Sequence, residues 1–265
     1  MKSGAKRVEV DRRGRFYQIE SGESFPSVTN ILGCIGKPAL INWAASTERD
    51  MVIQAAANLY EDLPMSAKMS KPAYVETLRK RLGHEKAHTK ELQKACEIGS
   101  EAHALIEWNL RKELGQRVGD QPQIGEKAAH AFAAYEEWRK RTGIKPIMIE
   151  QTIWSRKYGY AGTLDLCADV EEYNGLAVID FKTGRGIYPE SSLQIAAYAQ
   201  ALIEMGHAEV DMYGIVLRLP KKENDPEFEV KVITPQEQAG LFQTFLSVLN
   251  LWKYIQDNDK WVKCA

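Results

Sequence analysis

The stretch Tyr160–Tyr198, YAGTLDLCADVEEYNGLAVIDFKTGRGIYPESSLQIAAY, leaves few folds open to this chain. Two apolar runs, Tyr160–Val170 and Leu176–Phe181, are short, aliphatic and each interrupted by a carboxylate. Glu-Glu-Tyr-Asn-Gly separates them, and Asn174-Gly175 suits a tight hairpin because both residues tolerate positive φ. The expectation is two antiparallel strands. Side chains two apart on a strand share a face. Asp180 and Lys182 should therefore point one way, and Ile179 and Phe181 the other, into apolar packing. On the preceding strand Leu164, Leu166 and Ala168 should share one face, with Asp165 on the opposite one. One sheet face can thus gather Asp165, Asp180 and Lys182. Two hard oxygen donors suit Mg2+ or Mn2+. The ammonium group can assist an attacking water or steady a developing oxyanion. Burying carboxylates among aliphatics is costly unless something pairs with them, which a cation does. An isolated Asp-x-Lys is more commonly a solvated ion pair, so the rest of the chain has to decide.

A chain of 265 residues suffices for one large domain, or one domain with a helical insertion. Its net charge of −1 does not announce a nucleic-acid binder. A polyanion would have to meet a local basic patch and the metal. Cys34, Cys96, Cys167 and Cys264 are far apart and form no C-x-x-C pair, which argues against a zinc site or a disulfide framework. No apolar run is long enough to span a bilayer, and the basic N-terminus lacks the apolar core of a secretion signal. A soluble, cytoplasmic protein with no membrane partner is expected.

Residues 1–25 carry Lys2, Lys6, Arg7, Arg12, Arg13 and Arg15 against few acids. They read as a solvated terminus, with a phosphate-contacting arm as the alternative. Val8–Val10 and Phe16–Ile19 can pair around Arg13-Gly14. Ser27 or Pro26 starts a helix that Gly33 and Gly36-Lys37-Pro38 end. Helices are expected from Ala39 to about Tyr60, with Leu40, Trp43, Ala44, Met51 and Ile53 available for packing, and from Ser70 to about Leu82. Residues 61–69 form a polar connector. Residues 26–142 thus read as a helical region, and residues 143–265 as a sheet with helices.

The helix over about His88–Leu114 carries Leu92, Cys96, Gly99, His103, Ile106 and Leu110 at three- and four-residue steps, which marks one face. Glu107 follows His103 by one turn on the same side, so an imidazole and a carboxylate point inward together. Gly99, one turn earlier, permits a close approach. A helix over Gly125–Thr142 presents Ala128, Ala129, Phe132, Tyr135 and Trp138, and Gly143 closes it. Ile144–Ser155 reads as a strand. Its Glu150 is either solvent-facing or a third carboxylate beside Asp165. After the Thr183-Gly184-Arg185-Gly186 loop, a helix to Gly206 places Gln194 and Tyr198 one turn apart, and its small apolar face (Leu193, Ala196, Ala197, Ala201) can pack closely on the sheet. Strands over Met212–Leu219 and Phe228–Ile233 flank a polar turn, Lys221 to Pro226. Thr234-Pro235-Gln236-Glu237 is a capping box that opens a final helix, with Leu241, Phe245, Val248, Leu249 and Trp252 as its inner face.

In order, these are Gly99-x3-His103-x3-Glu107, Glu150, Gly162-Thr163-Leu164-Asp165, Asp180-Phe181-Lys182-Thr183 and Gln194-x3-Tyr198. The set resembles the PD-(D/E)xK nuclease superfamily, in particular its RecB-like branch and small phage exonucleases. The Ser27–Leu32 segment is similar as well. The resemblance covers about residues 26–220. It implies an α/β (α+β) fold with a restriction-endonuclease-like core: a central mixed sheet flanked by helices, with the helical region walling one side of the active-site cleft. It implies metal ligation by His103, Asp165, Asp180 and the Phe181 carbonyl. It also implies Lys182 as the catalytic lysine, which would orient or deprotonate the water or balance charge in the transition state; a lysine near metal and in a cleft can have its pKa lowered. Glu107 matches the acidic residue of the first motif. DNA contacts are implied for Gln194, Tyr198, Arg185, Ser27 and Thr29, while the role of Glu150 stays open.

The implied activity is a Mg2+- or Mn2+-dependent DNA exonuclease in phage or bacterial recombination, replication or repair. Its substrate would be a DNA end or single strand, with a single-strand annealing or replication protein as a partner. Relatives that hold an iron–sulfur cluster use a C-terminal group of three cysteines. Only Cys264 lies near this C-terminus, so no cluster is expected. Nor is there a P-loop for a helicase motor. The alternatives are a structure-specific endonuclease or RNA-directed enzyme on the same centre, or a non-catalytic DNA-binding protein on a nuclease scaffold.

Overall fold

The computed structural model describes residues 5–10, 14–63, 69–208, 212–222, 224–225 and 227–258. Lys2, Arg12, Arg13, Glu223, Pro226 and Cys264, and residues 64–68 of the connector, lie outside them. The chain divides into two compact units, Gly36–Glu97 and the remainder, Met1–Ile35 with Ile98–Ala265.

In the larger unit, β1 (Ala5–Val10), β2 (Gly14–Ile19) and β3 (Ser24–Pro26) form a three-stranded antiparallel sheet. The helix α1 (Val28–Leu32) follows at once, because the Ser27 hydroxyl accepts the Asn30 N–H and caps it. Ser27 also bridges in parallel to Ala161, which sets α1 beside the second sheet.

The smaller unit contains α2 (Pro38–Glu61), α3 (Lys71–Leu82) and the start of α4 (Ala87–Glu113). Ser70 caps α3, and the Tyr74 hydroxyl donates to the Ala56 carbonyl to join α3 to α2. Packing here is thinner than the apolar spacing suggests. Leu40 and Ile53 are exposed, as are Leu92 and Cys96 of α4. Only from Ala102 onward does the α4 stripe enter a core, through Leu105, Ile106 and Leu110.

The chain then forms α5 (Glu126–Thr142), β4 (Ile144–Ser155), β5 (Tyr160–Val170), β6 (Gly175–Lys182), α6 (Pro189–Glu204), β7 (Tyr213–Arg218), β8 (Glu229–Ile233) and α7 (Pro235–Asp257). The five strands lie in the order β4-β5-β6-β7-β8. Only β6 and β7 pair in parallel, joined by α6 as the crossover. The fold is therefore mixed α/β, with a central sheet between two helical layers. One face packs on α1, α6 and α7 through Tyr160, Leu164, Val178, Val216 and Phe245. The other packs on α4 and α5 through Ile106, Tyr135, Trp138, Ile179 and Phe181. Each fully buried large side chain here contributes roughly 1.5–3 kcal/mol. On α5 the buried small residues are Ala128 and Ala131, and Ala129 faces outward. Thr234 and Glu237 form the reciprocal cap of α7.

Two local expectations are corrected. The β5–β6 hairpin is there, but a single 3-10 turn, Glu171–Tyr173, and Asn174 at φ 48° make the connection. Gly175 already pairs with Val170. More important for the site, Leu164 does not share a face with Leu166 and Ala168. Leu164 joins the cluster under α6 and α7, and the other two join the opposite one. The alternation breaks at Asp165. Its neighbours pair regularly, Leu164 with Gln151 and Leu166 with Ile149, whereas Glu150 across from it adopts φ 47° and leaves the ladder. A glutamate in that region is strained, so the surroundings must hold it.

Candidate metal centre

The irregularity at Glu150 and Asp165 lies where the chemistry gathers. Alpha-helical spacing on α4 brings His103 over the sheet, and its Nε2 lies 3.0 Å from the Phe181 carbonyl oxygen. The imidazole packs edge-on against the Phe181 ring. Gly99, one turn earlier, permits the approach: a Cβ there would sit 3.0 Å from the Thr183 hydroxyl. From β5, Asp165 accepts the Phe181 N–H on Oδ2 at 2.7 Å and presents Oδ1 3.7 Å from His103 Nδ1. Glu150 completes a triad. One ligand atom from each of His103, Glu150 and Asp165 lies within 4.8 Å of the others, all on partly buried residues. Leaving the ladder is what brings the Glu150 carboxylate there.

Asp180 and Lys182 stand beside this triad as a second group. Asp180 is 1% exposed. Its Oδ1 accepts from Lys182 Nζ and from Gln194 Nε2, each at 2.8 Å, and Lys182 Nζ is 2.6 Å from its Oδ2. Gln194 Oε1 accepts a further bond from Lys182 at 3.2 Å, and its amide donates to the Tyr198 hydroxyl. Gln194 and Tyr198 are buried, and the groups they meet are those of the site itself. Tyr198 reaches this place because residue 162 is glycine: a Cβ there would fall 2.5 Å from the Tyr198 ring.

Electrostatics separate the groups. Burial, then the charges of Asp165 and Glu107, push the Glu150 carboxyl up to about 8. Burial also raises Asp180, with Lys182 acting in the opposite sense. Lys182 departs from expectation. Burial draws its pKa down, but the charges of Asp180 and Asp165 outweigh that and hold the ammonium above its ordinary value. In the metal-free protein Lys182 is a cation.

The remaining site residues are more dispersed. Glu107 pairs with Arg111, whose Nε donates at 2.7 Å, and it is not a member of the triad. Arg185 and Thr29 are exposed, whereas Ser27 is buried in its capping role. Two participants carry no motif: Tyr17, whose hydroxyl bonds to Thr163 at 2.9 Å, and Arg111. Arg111 is signalled only by its four-residue step from Glu107; Tyr17 has no local signal at all.

The donor set suits a hard divalent ion: two carboxylates and an imidazole, with the Phe181 carbonyl at hand. Burial, reinforced by the neighbouring carboxylates, raises the Glu150 pKa to about 8, and a cation bound there would relieve both costs. A model of the PD-(D/E)XK nuclease superfamily matches residues 71–264, well over half of the chain. The chain belongs to the PD-(D/E)XK nuclease superfamily. The chain thus combines membership of this superfamily with a His103, Glu150 and Asp165 cluster that could hold a divalent metal, which gives the protein catalytic potential. No curated protein matches the chain in sequence. Among solved structures, the crystal structure of SSO0001 is 14% identical, covering 79% of this chain and 86% of that one, with a TM-score of 0.33. Superfamily membership implies nucleic-acid binding, and among the described residues no helix is long and apolar enough to cross a membrane.

Proposed function

We propose that the protein is a divalent-metal-dependent deoxyribonuclease of the RecB-like branch, acting as an exonuclease in phage or bacterial DNA recombination, replication or repair. The observation that carries this reading is the convergence of His103, Glu150 and Asp165 beside the Asp180–Lys182 pair. When bound, Mg2+ or Mn2+ there supplies Lewis-acid activation of water and relief of charge on the scissile phosphate. His103, Glu150 and Asp165 would hold it, the Phe181 carbonyl lies beside His103, and Asp180 is a further ligand in this reading. Lys182, kept protonated by its carboxylate neighbours, orients the attacking water and balances the charge that builds on the phosphoryl oxygens. Gln194 fixes the Lys182 ammonium against Asp180, and Tyr198 fixes Gln194. Glu107 supplies negative charge beside Glu150. Arg185 and Thr29 meet the DNA backbone from their exposed positions, and Ser27 places Thr29 by capping its helix. The substrate is a DNA end or single strand. A single-strand annealing or replication protein is the partner this role calls for, in a bacterial or phage-infected cytoplasm.

Incubation of end-labelled linear DNA with Mg2+ or Mn2+ tests this directly. The protein should release nucleotides from the ends, EDTA should stop it, and Lys182→Ala should slow it by about 10²–10⁴-fold. Equal digestion by the wild type and Lys182→Ala would refute the assignment. Circular single-stranded DNA should resist; its cleavage would make the same centre an endonuclease. Tight DNA binding without cutting under any divalent ion would leave a non-catalytic scaffold.

A further inference from the structure

The strained backbone at Glu150 needs something to hold it, and the hydrogen bonds around it point to one side chain. Ile149 still pairs with Leu166, but Glu150 turns to φ 47° immediately after it. The Ile149 carbonyl oxygen, the acceptor next to that turn, receives Arg111 Nη2 at 3.3 Å. Two other acceptors hold the same guanidinium. Glu107 Oε1 takes Nε at 2.7 Å, and Gln116 Oε1 takes Nη1 at 3.2 Å. The planar fork therefore ties α4, the segment that follows α4, and β4 together at the base of the turn. Lysine offers a point charge without such a fork and cannot make these bonds together.

We propose that Arg111 is the positioning residue for Glu150: its guanidinium, braced by Glu107 and Gln116, clamps the Ile149 carbonyl and so keeps the Glu150 carboxylate turned toward His103 and Asp165. This rests on the reading of those three residues as a metal centre. Arg111 acts through backbone geometry and touches neither metal nor substrate. Its charge also acts on the site, favouring the ionised Glu150 carboxylate and repelling a metal, two effects of opposite sign, so only a change that keeps the charge and removes the fork isolates the clamp. If clamping matters, that change should weaken binding, by the ten- to hundredfold typical of residues that support a metal ligand.

Titration of the full chain with Mn2+ by calorimetry, with no DNA present, reads this change in affinity. Arg111→Gln is expected to bind Mn2+ at least about tenfold more weakly than the wild type. Arg111→Lys, which keeps the charge and loses the fork, is expected to do the same, and it is the deciding variant because the charge at the site is unchanged. Amide exchange at Glu150 and Gln151 in the metal-free protein should quicken in either variant, a readout independent of metal. Wild-type or tighter Mn2+ affinity in a folded variant would overturn the clamp and leave the nuclease assignment intact. A wild-type protein that binds no Mn2+ would remove the metal centre, and the clamp with it.

Discussion

A glutamate held at φ 47°, partly buried and within reach of the charges of Asp165, Glu107 and Asp180, is a state that chain propensity opposes on both counts. The folded protein binds the Glu150 proton up to about 8, whereas the ordinary value is 4.5. The contribution of this group to stability is therefore complete at or below about 4.5 and is lost as pH rises toward 8. The metal-free protein should melt at lower temperature at pH 8 than at pH 6. Glu150→Gln, which removes the charge and keeps the shape, should recover about 1–2 kcal/mol at pH 8. The same substitution should weaken Mn2+ binding by at least about tenfold, so melting curves and calorimetry must move in opposite directions. This position also marks the limit of what the amino-acid pattern reveals. Asp180, Lys182 and His103 could be singled out by helix and strand periodicity, whereas the alternation invoked for Asp165 breaks at that residue. Glu150 sits on the same strand with equal claims to solvent and to the site, because its orientation comes from a backbone irregularity that tertiary contacts impose.

Regular elements read more easily, because local chemistry defines their ends. Ser27, Ser70 and Thr234 cap α1, α3 and α7 with their own hydroxyls, and Gly143 ends α5 in the left-handed conformation. Removing the α7 cap with Thr234→Ala should cost about 1 kcal/mol, seen as an earlier urea midpoint with an unchanged slope. Contacts between elements are less legible. That Gly162 exists to admit the Tyr198 ring follows from the packing of α6 across β5, and nothing adjacent in the chain announces it. Gly162→Ala should destabilise by roughly 1–3 kcal/mol, because the added methyl meets a fully packed aromatic ring. It should also slow DNA cleavage, since Tyr198 supports Gln194, and Gln194 holds Lys182 and Asp180. Periodicity likewise overstated the apolar stripe of α4. Spacing shows which residues share a helix face but not where along the helix a neighbour covers it, and the cover begins near Ala102.

For the molecule as a whole, five strands sandwiched between helices bring α4, β4, β5 and β6 together at one centre. An ion bound there stabilises the folded chain by mass action, since the separated ligands of the unfolded chain offer no site. Melting temperature should climb with Mn2+ concentration, and more steeply at pH 8 than at pH 6, because ligation must displace the Glu150 proton. Anomalous scattering from a crystal of the full chain grown with Mn2+ tests the convergence most directly. A manganese peak should lie in direct-ligation contact with the His103 ring and with the Asp165 and Glu150 carboxylates. Manganese bound elsewhere, or an anomalous map without a peak among those three side chains at saturating Mn2+, would contradict the metal centre.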